Sequence, residues 1–199
     1  MISIYNIKPK FQKLLQPVLQ ILHKCGVTAN QITLTSIILS LVIGVGFWFA
    51  IDNRLLFLVL PFGLLLRMAL NALDGMMART YNMQSKKGEV LNELGDTISD
   101  LFIFFPLLIH EKENLYLIVI FICLSIINEF SGILGKAVSN NRRYDGPMGK
   151  SDRAFVMALY GIVSFLAINI SEYSFWVFII INILLIVSTY TRCKKSLQQ

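Results

Sequence analysis

The chain has 199 residues, 55% of them hydrophobic and only 15% charged, with a formal net charge of +6. Such a composition excludes a disordered chain and speaks against a soluble globular domain. The basic excess reads as attraction to an anionic lipid surface and not to nucleic acid, since no basic stretch is interleaved with aromatic residues. Each membrane span takes about 20 apolar residues, so the length holds about six with short loops. The expected class is all-α: a polytopic membrane protein of six transmembrane helices preceded by an N-terminal interfacial amphipathic helix, folded as one domain over residues 1–199.

In chain order, residues 1–25 mix leucines with lysines and glutamines, the pattern of a helix lying in the interface plane, with Pro17 as a kink. No removable signal peptide is expected there. Gly26 offers a turn and Thr28 or Asn30 a helix cap. The first span is expected over Ile32–Ala50, followed by a short turn at IDNR, and the second over Leu55–Met77. Arg67 falls within that second span and should find a partner, with Glu129 and Asp100 as candidates. The third span is expected over Gly88–Ile109, followed by the loop HEKEN, where His110 reads as solvated or interfacial. A fourth span covers Leu115–Val138 and carries Asn128 and Glu129. The loop SNNRRYDGPMGKSDRA leads to a fifth span over Ala154–Ile170 and a sixth over Phe175–Tyr190. Cys25, Cys123 and Cys193 show neither metal-site spacing nor a disulfide framework.

One stretch departs from this apolar background. Residues 71–100 read NALDGMMARTYNMQSKKGEVLNELGDTISD, and polar groups are costly in a bilayer unless they have a function. Asn71, Asp74 and Ala78 fall at i, i+3 and i+7 on one helix face. Gly88, Asn92, Asp96 and Asp100 follow at steps of four on the next. Two antiparallel helices would aim these oxygens at one another, as a hard divalent cation requires. Gly75 and Ala78 leave room for a ligand, and Arg79 offers a planar fork for phosphate. Interhelical hydrogen bonding is the alternative reading of the polar positions.

The spacing N-x2-D-G-x2-A-R-x8-G-x3-N-x3-D, from Asn71 to Asp96, resembles the CDP-alcohol phosphatidyltransferase pattern, in which Asn71 and Asn92 would both be aspartates. The resemblance implies Mg²⁺ or Mn²⁺ held by Asp74, Asp96, Asn71 and Asn92, with Asp100 as a helper. It implies a CDP-lipid donor seated near Gly75, Ala78, Arg79 and Gly88, and Asp96 as general base on an alcohol acceptor. Lys150, Arg153, Arg142 and Arg143 become candidate ligands for a phosphate on that acceptor, or simply loop charge. The implied reaction is phosphatidyl transfer from CDP-diacylglycerol with release of CMP. A non-catalytic member that binds a nucleotide-lipid or metal, and a small transporter, are the rival readings. The resemblance also favours a homodimer. Fifteen of the eighteen basic residues lie at the termini and in the second and fourth loops. The positive-inside rule therefore sets both termini and the motif on the cytoplasmic side of a bacterial-type inner membrane.

Overall fold

The computed structural model describes residues 7–168 and 171–198, and every described element is helical. The elements are α1 (Ile7–Lys24), α2 (Ala29–Trp48), α3 (Val59–Thr80), α4 (Lys86–Phe104), α5 (Leu107–His110), α6 (Leu115–Ser139), α7 (Lys150–Phe165) and α8 (Ser171–Ser196), with short 3-10 turns at 49–51, 54–58 and 112–114. Gly26 makes the turn out of α1 with a φ of +75°, which costs glycine nothing. Thr28 then starts α2 through a capping box with Gln31.

The helices pack with their small and polar residues inward. On α2 the buried positions include Thr33, Ser36, Ser40 and Gly44, while Ile38 and Val42 are about 60% exposed. This inverts the order of a soluble helix and suits lipid on the outside, with close backbone approach between helices within. Gly44 shows the closeness: a Cβ there would collide with the backbone carbonyl of Phe102 on α4. α2 packs against α3 and α4, α3 also against α7 and α1, and α6 against α8.

Among the described residues four stretches are long and apolar enough to cross a membrane: Ala29–Ile51, Arg54–Thr80, Lys112–Ser139 and Tyr173–Ser196. α4 and α7 fall short of that measure. α4 carries Glu89, Glu93, Asp96 and Asp100, and α7 has 16 residues that include Lys150, Asp152 and Arg153. The molecule is therefore an all-helical integral membrane protein.

Several boundaries differ from expectation, among them the end of α8, which runs to Ser196 where Tyr190 was expected. The third predicted span breaks at Phe104, and Pro106 starts the separate α5. α7 begins four residues earlier than expected, at Lys150. The end of the fifth predicted span, at residues 169–170, lies outside the described residues. His110 is half-buried: its ring stacks on Phe47 at 4.5 Å and its Nε2 lies 2.8 Å from the Phe47 carbonyl. Beside it, Glu111 is buried and accepts from the Tyr160 hydroxyl at 3.1 Å, which ties α5 to α7.

Candidate active site

The motif halves meet at the end of the bundle opposite this aromatic cluster. α3 and α4 both lean on α2, and α2 holds the polar groups of α3 in place. Thr33 donates to Asp74 Oδ2 at 3.0 Å, and Ser36 donates to Asn71 Oδ1 at 2.7 Å. Asp96 on α4 lies near enough for its charge to act on Asp74, and the charge of Lys150 reaches Asp74 as well. Lys150, in the first turn of α7, forms an ion pair with Asp96. Three helices thus bring two carboxylates and one ammonium together.

The glycines keep this end narrow. A Cβ at Gly88 would lie 2.7 Å from Asn30 Oδ1, so α4 and α2 touch there. At Gly75 the nearest neighbour of a Cβ would be the Arg79 guanidinium, at 3.2 Å. Arg79 thus folds back over its own helix while remaining exposed at the surface.

Directly beneath lies a buried ionic network that spans five helices. Arg67 pairs with Asp100 at 2.8 Å, and Arg153 bridges Asp100 and Glu129, each at 2.8 Å. Glu129 also takes Arg142 at 3.0 Å, and Arg142 reaches Glu93 at 2.7 Å. Arg192 of α8 joins at 4.0 Å from Glu129 and donates to the Asn128 carbonyl at 2.6 Å. Arg67 also donates to the main-chain carbonyl of Asp96 at 3.4 Å, so the network touches the backbone of the site.

These contacts correct several sequence expectations. Asp100 is not turned toward the cation position, because both of its oxygens are held by arginines. Arg153 is 1% exposed and is committed to Asp100, Glu129 and the Met148 carbonyl, so it presents nothing to an acceptor. Arg142 is committed to Glu93 and Glu129 and stacks over Tyr144 at 4.6 Å. Arg143 donates to the Lys195 carbonyl at the end of α8. Of the four basic candidates only Lys150 faces the paired carboxylates. Arg67 finds Asp100, one of its two foreseen partners. The contributions of Thr33 and Ser36 were missed, although Thr33, Ser36, Ser40 and Gly44 recur every three or four residues on an otherwise bulky span.

Among the described residues no three His, Cys, Asp or Glu side chains stand together as a metal site. The donor set is instead two carboxylates, Asp74 and Asp96, with the amides of Asn71 and Asn92 on the same helix faces. That set fits a hard cation of the kind bound through one or two carboxylates, with substrate phosphates and water completing the shell.

Comparison with known proteins decides the family. The CDP-alcohol phosphatidyltransferase family matches residues 26–188. The chain belongs to that family, and its members are enzymes. It is 41% identical over 195 residues to the inner membrane protein YnbA of Escherichia coli, covering 98% of this chain and 96% of that one. It is 35% identical over 107 residues to an uncharacterized protein of Aquifex aeolicus, covering 53% and 51%. The fold is similar to that of the Mycobacterium tuberculosis phosphatidylinositol phosphate synthase PgsA1 with CDP-DAG bound. That match has a TM-score of 0.69 and 19% identity, and covers 94% of this chain and 92% of that one. PgsA1 in complex with manganese and citrate matches with a TM-score of 0.68 at 19% identity, covering 90% and 87%.

Proposed function

We propose that this family member transfers a phosphatidyl group from CDP-diacylglycerol to an alcohol acceptor and releases CMP. The observation that carries the reading is the convergence of Asp74 and Asp96, from separate helices, beside Lys150. Membership in the family supports the reaction class, and the CDP-DAG held by the PgsA1 fold relative supports the donor.

Asp74, Asp96, Asn71 and Asn92 would hold Mg²⁺ or Mn²⁺. When bound, that ion supplies charge neutralisation across the donor diphosphate. The remaining work falls to the chain itself. Thr33 and Ser36 fix the rotamers of Asp74 and Asn71, so the oxygens are positioned before the donor arrives. Arg79, folded beside Gly75, offsets phosphate charge on the donor. Asp96 takes the proton of the acceptor hydroxyl as its oxygen bonds to the lipid-linked phosphorus. The bond from that phosphorus to the CMP phosphate breaks, and CMP leaves with the electron pair. Lys150 releases Asp96 and turns to the incoming acceptor, which favours an acceptor that carries a phosphate.

The same reading sets α4 and α7 across the membrane as a third and fifth span. Their charges are paired with one another and with α3 and α6, which offsets the cost of burial. Residues 32–192 then form a six-span bundle with α1 in the interface and the motif on the cytoplasmic side.

The test is CMP release from CDP-diacylglycerol in vesicles supplied with mixed alcohols. Asp96→Asn is expected to lower turnover by 100-fold or more, on the order of a lost general base, while the protein stays folded in detergent. EDTA should stop turnover, and Mg²⁺ or Mn²⁺ should restore it. Full turnover by Asp96→Asn, or turnover that ignores EDTA, defeats the assignment.

A further inference from the structure

A cleft of about 300 Å³ lies between α1 and the end of α3, walled by Gln12, Lys13 and Gln16 on one side and Met76, Arg79 and Thr80 on the other. α1 is held against α3 by apolar contact: Leu19 is 2% exposed and packs in one cluster with Leu73, Met76 and Met77. His23 stacks on Tyr81 with ring centroids 3.5 Å apart. The cleft is thus a fixed feature of two docked helices. Its chemistry is one-sided. Among the described residues neither Lys13 nor Arg79 forms an ion pair, and α1 carries no acidic residue. Two cations therefore share one cavity with amides and a hydroxyl, and among the described residues no acid lines it. The cleft opens at the end of the bundle where the motif lies, since Arg79 borders both Gly75 and the cleft.

We infer that this cleft binds the headgroup of a phospholipid with net negative charge, with Lys13 and Arg79 as paired cationic walls and Gln12, Gln16 and Thr80 as hydrogen-bond donors. The amphipathic helix is then part of a binding site as well as an anchor. The phosphate belongs either to the donor lipid of the reaction proposed above or to a resident anionic phospholipid. The chemistry is the same in both cases: a diester or diphosphate anion fixed at headgroup depth.

Binding distinguishes these sources without relying on turnover, so failure of the proposed reaction would leave the result readable. The full chain in detergent micelles is titrated with CDP-diacylglycerol, with phosphatidylglycerol and with neutral phosphatidylcholine, and bound lipid is counted by native mass spectrometry. Lys13→Gln is expected to weaken anionic lipid binding about fivefold, the equivalent of about 1 kcal/mol per basic residue near a charged surface. Lys13→Arg should restore it, and phosphatidylcholine should be unaffected. A loss confined to CDP-diacylglycerol assigns the cleft to the donor, and any loss that includes phosphatidylglycerol assigns it to a resident lipid. Lys10→Gln is the control, because Lys10 is exposed on the same helix but does not line the cleft. Equal weakening by Lys10→Gln and Lys13→Gln, or none by Lys13→Gln in a protein whose melting temperature is unchanged, overturns the site.

Discussion

Lys150 and Arg153 stand three residues apart on α7, and their surroundings differ in kind. The Lys150 side chain is 26% exposed and meets one carboxylate, whereas the Arg153 side chain is fully enclosed between two. Removing one partner of a buried pair strands the others, at a cost of about 3–5 kcal/mol. Arg153→Met should therefore lower the melting temperature sharply in detergent, whatever it does to catalysis. Lys150→Ala should leave the melt close to the parent protein. It should raise the acceptor KM about tenfold, as expected for a lost charged hydrogen bond, and move the donor KM less. An equal rise in both would return Lys150 to the role of loop charge. The sequence offered both residues as acceptor ligands. It shows charge and order, but three helical residues are a shift of about 4.5 Å in depth, enough to take a guanidinium from the headgroup layer into the packed interior.

At the scale of the helix, α2 carries no residue of the family motif, yet it orients two of them and spaces α3 from α4. Its small positions decide how near those helices come. Gly44→Val should push α4 away through the Phe102 carbonyl, costing about 1–3 kcal/mol as an overpacked contact does. Because α4 bears Asp96, CMP release should fall along with the melting temperature. Loss of stability with unaltered turnover per folded molecule would show that the motif does not depend on this contact. Helix starts were legible where a cap marks them, as at Thr28. The break before α5 was not read, although Pro106 supplied a signal: a proline has no N–H to give the carbonyl one turn back, and its ring crowds that carbonyl, while Phe105 itself keeps helical dihedrals. Apolarity on both sides of the break, in LFIFFPLLI, masked it.

For the molecule as a whole, the arrangement of charge predicts a measurable sidedness. Cys25 follows α1, Cys193 lies near the end of α8, and Cys123 sits within α6. In single-cysteine variants, a membrane-impermeant maleimide added to intact cells should leave Cys25 and Cys193 unlabelled and should modify both once the membrane is opened. Labelling of either one in intact cells would invert the proposed topology. The sequence predicts six spans, whereas among the described residues four stretches are apolar enough to cross; α4 and α7 are not, because they hold the charges of the site and its supporting network. For α4 the spacing from Asn71 to Asp96 compensated, since it set those charges on a helix face opposite that of α3.

The shared position of Glu129 among three arginines also constrains how the protein can be made. Arg67 and Asp100 emerge from the ribosome within one helical hairpin and can neutralise each other as that hairpin forms. Glu129 is synthesised before each of its partners, Arg142, Arg153 and Arg192. A nascent chain halted after α6 would carry an unmatched carboxylate in the membrane and be open to quality-control proteolysis. Synthesis of the last two helices is thus what completes the charge balance of the first six.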